Sequence, residues 1–81
     1  MSAANSLCTA ARTIRRAIKA GRFDTCRRAA GAVWANAGVA LPVPQSNDPG
    51  IWENVARVLD SRAGIIRAHR IAEQRGIYLP R

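Results

Sequence analysis

Arg12, Arg15, Arg16 and Lys19 recur at helical intervals early in this chain, and Arg62, Arg67 and Arg70 do so toward its end. Side chains of this kind carry one chemistry: a guanidinium holds a phosphate or makes a paired contact with a guanine edge, and an ammonium holds a phosphate as a point charge. They belong to a wider imbalance. Thirteen Lys and Arg residues, all but one of them Arg, oppose five acids in 81 residues, and the net charge of +8 predicts attraction to an anionic partner. Residues 1–38 hold seven of the cations against Asp24 alone. A GC-rich coding sequence accounts for Arg over Lys, but not for the scarcity of acids.

Other chemistries find less support. Cys8, Cys26 and His69 have no metal-ligand spacing, and His69 reads as a boundary residue near Glu73. Asp24, Asp48 and Asp60 are each explained as helix caps, so no carboxylate is left beside a nucleophile. The expectation is a nonenzymatic protein with no cofactor and no metal. Cys8 shares a surface with Arg12 and Arg15 near a helix start, where a thiolate is favoured, although an incidental surface thiol is the plainer reading.

The elements that must position these groups are helical. Leu7, Ala10, Ala11, Ile14, Ala17 and Ile18 gather on one arc at about 100° per residue, with the cations opposite, which predicts a helix over 6–20 that Ser2, Asn5 or Ser6 caps and Gly21 ends. Asp24 then caps a second helix with Cys26, Ala29, Ala30, Val33, Trp34 and Ala37 inward, ended by Gly38. Gly21-Arg22-Phe23 makes the two an antiparallel hairpin, with Phe23 closing its end. In that hairpin Cys8 and Cys26 stand about 15 to 20 Å apart at a rise of 1.5 Å per residue, so both thiols are expected to be free.

Leu41-Pro42-Val43-Pro44-Gln45-Ser46-Asn47 resists regular helix and predicts an ordered strap packed by Leu41 and Val43. Asp48-Pro49 starts a third helix with Ile51, Trp52, Val55, Ala56, Val58 and Leu59 on one face. Ile65, Ala68, Ile71 and Ala72 form a stripe nearly opposite Val55 and Leu59, and one straight helix cannot bury both. The spacing therefore predicts a break near Asp60-Ser61, a fourth helix ended by Gly76, close packing at Gly64, and Ile77-Tyr78-Leu79 folding back over the core. The expected architecture is a single all-α domain over 1–81, four short helices in two hairpins joined by the proline strap.

The third helix, tight turn and arginine-bearing fourth helix look like a helix-turn-helix, and Val55-Ala56-Arg57-Val58-Leu59-Asp60-Ser61-Arg62 is similar in texture to the first helix and turn of many bacterial regulators. The similarity is generic and names no family. On this reading Arg62, Arg67 and Arg70 meet DNA while Arg12, Arg15, Arg16 and Lys19 contact phosphates, although a solvated helix face explains the first stripe as well. No aromatic residues interleave with that stripe, which disfavours single-strand stacking.

The leading expectation is a small DNA- or RNA-associated regulator. The alternative is an inhibitor or adaptor, of the sort mobile genetic elements encode, docking on an acidic protein surface through Ile66 and Arg70, since Ile66 falls outside the expected inward stripe. Leu, Ile, Val and Phe make up only about a fifth of the residues, near the level seen in disordered chains, so self-association would be one way to gain burial. The first residues lack the pattern of a secretory signal and no run approaches the ~18 apolar residues of a membrane span, pointing to a soluble cytoplasmic protein.

Overall fold

The computed structural model describes residues 3–76, the side chain of Arg75 excepted. They form three helices, α1 (Ala3–Ala20), α2 (Phe23–Val33) and α3 (Pro49–Arg75), with no strand among the described residues. The helical class is as expected, but the count is three rather than four.

Two alternating series of small and large side chains explain the main packing. Along α1 the buried residues run Ala4, Leu7, Ala11, Ile14, and along α3 they run Trp52, Ala56, Leu59, Ala63, with Ile66 half-buried at the next step. Each series advances by alternating threes and fours, the spacing of a seam between helices at a shallow crossing angle. α1 packs chiefly along α3 and, on another flank, along α2. Arg15 reaches Glu53 and Asp60 while Asn5 meets Arg67, so α1 and α3 run antiparallel.

The hairpin of α1 and α2 forms as expected. Gly21 takes φ +69° at the turn, and Phe23 packs half-buried against the core. Three boundaries differ, since α1 already begins at Ala3, with Asn5 and Ser6 inside the helix rather than capping it. Asp24 lies inside the first turn of α2 rather than capping it, and the helix ends at Val33 in turns closed by Ala37 N–H to Val33 O at 3.0 Å and Gly38 N–H to Ala35 O at 3.2 Å.

α2 and α3 have little direct contact. The strap lies between them and is held by both tryptophans, with Trp34 Nε1 donating to Leu41 O at 2.6 Å and Trp52 Nε1 to Ser46 O at 2.7 Å. Arg27 adds a bond to Asn47 Oδ1 at 3.0 Å. Val39 and Val43 pack inward, but Leu41, expected to do so, is 72% exposed. Its carbonyl, not its side chain, is the anchor.

The expected break at Asp60-Ser61 is absent, and with it both the second hairpin and the helix-turn-helix. Asp48 caps α3 by accepting from Gly50 N–H at 2.9 Å, Pro49 occupies the first turn, and Gly76 closes the far end at φ +70°. Between them the backbone is uninterrupted. The opposed apolar stripes are real, but the helix resolves them by burying most of one and leaving most of the other in water: Ile65, Ala68 and Ile71 are exposed, as are Ile51 and Val58, while Ala72 is buried as expected. Ile66, expected outside, packs against the core because an unbroken helix places it seven residues after Leu59. The expectation for Ile77-Tyr78-Leu79 lies outside the described residues.

Gly64 sits on the exposed side of α3, and a Cβ there would meet nothing within 4 Å, so it serves no close packing. Gly64→Ala should raise stability by about 0.5 to 1 kcal/mol in urea unfolding, by favouring helix. Gly38→Ala should do the reverse, because Gly38 has φ +70° and a Cβ would stand 3.1 Å from the Arg62 guanidinium; a loss of about 1 kcal/mol or more is expected.

Candidate functional site

Arg12, Arg16 and Lys19 are exposed on α1 and form no ion pair among the described residues. Helical phase places Arg12 and Lys19 within about 20° of each other, with Arg16 about 40° further round. Lys19 stands in the last turn, where the negative end of the helix dipole favours a cation. Arg16 also borders a hollow of about 320 Å³ at the hairpin end, shared with Arg22, Thr13 and Thr25. Arg22 thus joins this group, although as a connector residue it gave no periodic signal in the sequence.

Arg15 departs from the group. Its Nη1 donates to Asp60 Oδ2 at 2.6 Å and its Nε stands 3.5 Å from Glu53 Oε1, tying α1 to α3. The hydrogen bond to Asp60, reinforced by both carboxylate charges and opposed by partial burial, makes Arg15 harder to deprotonate than an ordinary arginine. With side chains 39% to 47% exposed, the cluster contributes on the order of 0.5 kcal/mol per pair. Its larger effect is to withdraw Arg15, Glu53 and Asp60 from the pool of charges open to a partner. Glu53 lies four residues before Arg57 on its own helix, a spacing that suits an ion pair, but it crosses to α1 instead.

The arginines of the expected fourth helix are not gathered. Arg62 and Arg67 lie about 140° apart round α3. Arg62 stands against Gly38 beside the strap, while Arg67 Nη2 donates to Asn5 Oδ1 at 3.1 Å on the α1 side. Arg70 is exposed with no ion pair among the described residues. These three cannot enter one groove as a single reading face.

A different surface emerges on α3, one the sequence reading had buried. Ile51, Val58 and Ile65, spaced by sevens, are 39%, 50% and 47% exposed, and the first two border an apolar groove of about 280 Å³ against Leu41, Pro42 and Pro44. The seven-residue interval was visible in the sequence. What hid its meaning was the assumption that every apolar stripe must face the core.

Cys8 is half-buried and Cys26 fully buried, and both are free thiols. Burial pushes the Cys26 thiol above its ordinary range, and Sγ donates to Ile14 O at 3.7 Å. His69 is half-buried. Among the described residues no three of His, Cys, Asp and Glu gather as a metal-binding group, and no helix is long and apolar enough to cross a membrane.

A thiol reagent at neutral pH should label Cys8 and reach Cys26 only on unfolding, a difference readable by mass. Because native Cys26 keeps its proton to higher pH than the unfolded thiol, its contribution to stability is present below the ordinary thiol range and is lost as pH rises through the native value. Urea midpoints of the wild type should therefore fall on the alkaline side more than those of Cys26→Ala. The chain matches no family model, no curated protein and no solved structure.

Proposed function

We propose that this chain is a nonenzymatic, nucleic-acid-associated protein of the cytoplasm that grips the phosphate backbone of DNA or RNA through α1 and the hairpin turn. The observation that carries the reading is the imbalance of engagement between the two signs of charge. Asp48, Glu53 and Asp60 are held in a cap or ion pairs within the fold, and Asp24 stands 3.9 Å from Arg28 at the surface, leaving Glu73 as the one acid in neither a cap nor an ion pair among the described residues, whereas Arg12, Arg16, Lys19 and Arg22 all face water without an ion pair among them. Arg12 to Lys19 spans about 10 Å of helix, against one duplex charge per ~1.7 Å of axis, so one face can neutralise several phosphates.

Continuity of α3 removes the separate recognition helix on which sequence-specific reading would have rested. The favoured mode is backbone contact with weak base preference, a positioning role rather than base readout. A second reading, an inhibitor or adaptor docking on an acidic protein, is favoured by one separate observation, the exposed apolar ridge of Ile51, Val58 and Ile65.

With about four phosphates engaged, log affinity for a duplex should fall against log salt with a slope near −3.6. The double variant Arg12→Ala/Arg16→Ala should flatten that slope by about 1.8, and exchanging the duplex sequence should change affinity less than tenfold. Fluorescence anisotropy over a salt series measures all three. Binding indifferent to salt, or a slope the double variant leaves unchanged, would defeat the proposal.

A further inference from the structure

We infer that the ridge of Ile51, Val58 and Ile65 is a docking surface for an acidic amphipathic helix of a protein partner; the inference deepens the protein-binding reading and rests on it. Three half-exposed β-branched residues at seven-residue intervals make a seam about 21 Å long, running along about four turns of one helix, more than a single exposed apolar residue would present. Such a period suits another helix, since knobs at sevens meet the surface of a neighbour lying at a small crossing angle. Along the first part of the seam the strap raises Leu41, 72% exposed, as one wall of a groove.

The flanking charges select the occupant. When Ile51, Val58 and Ile65 take the central position of each heptad, Arg57 and Arg62 fall on the two edges that set partner choice in paired helices. Both are exposed and form no ion pair among the described residues. A second copy of the chain would bring arginine to arginine. In a parallel pair Arg57 would face Arg62 of the other copy, and in an antiparallel pair each would face its own counterpart. The net charge of +8 opposes that association further. A helix with carboxylates on its edges and aliphatic residues along its centre meets both demands.

The test uses the full chain and a labelled 21-residue helical peptide with Leu at the central heptad positions and Glu at the edges. Two controls accompany it, the same peptide with Lys at the edges and a shuffled peptide that keeps the acidic composition but loses the period. The patterned acidic peptide should bind at least tenfold more tightly than either control, and Val58→Asp should remove that advantage while circular dichroism and the urea midpoint stay near wild type. Arg57→Glu should narrow the gap between the Glu and Lys peptides at least fivefold, which keeps the inference testable if Val58→Asp fails to fold. Equal binding of patterned and shuffled acidic peptides, untouched by these variants, overturns the ridge as the site yet leaves acidic docking standing. Failure of every acidic peptide to bind overturns both. A dimer in sedimentation equilibrium that Val58→Asp dissolves overturns the assignment of the occupant in favour of a second copy.

Discussion

Close approach of α1 and α3 is the constraint on which the rest of this structure depends. A chain with few large aliphatic residues cannot fill a wide core, and it solves the problem by setting alanines between the large side chains of both helices. Ala4, Ala11, Ala56 and Ala63 are buried among Leu7, Ile14, Trp52 and Leu59, so the backbones can draw near and a small volume of side chain suffices. Alanine adds little apolar area of its own, but it favours helix and orders no flexible side chain. The arrangement also explains why α3 is one piece. A kink at Asp60 would carry Ala63 and Ile66 off the seam and remove the longest continuous contact in the fold.

Much of this was legible in the residues. The hairpin of α1 and α2, the cap at Asp48, the stop at Gly76 and the inward positions of Leu7, Ile14, Cys26, Trp52 and Leu59 all follow from spacing and turn chemistry. The continuity of α3 does not, because Ile65, Ala68 and Ile71 lie nearly opposite Val55 and Leu59, and a straight helix cannot bury both stripes against one core. Periodicity reports which residues share a side of a helix. It does not report whether that side is covered. Asp60 and Ser61 strengthened the misreading, since both are common caps, whereas Asp60 is in fact half-buried against Arg15 within an unbroken helix.

The same distinction separates the legible from the illegible part of the cationic surface. Arg12, Arg16 and Lys19 were placed correctly on the outer side of α1, but Arg15, one position from Arg16, turns toward α3. Its partners lie 38 and 45 residues away, and nothing in the local pattern distinguishes it from its neighbours. Long-range pairing of this kind sorts a uniform basic stripe into a structural group and an outward group. The outcome is a protein in which Glu53 and Asp60 are half-buried against α1 while Arg12, Arg16 and Lys19 face outward to whatever approaches.

The two indoles give the strap an unusual dependence on the rest of the molecule. Trp52 is fully buried in the helical core, while Trp34 follows α2, and each donates its one polar hydrogen to a carbonyl of the same connecting segment. A proline-bearing loop would ordinarily fluctuate on its own timescale, but here its release would strand a buried donor at the centre of the molecule. Loop and helices are thereby coupled into one cooperative melting unit, whose opening would register in the emission of both tryptophans together.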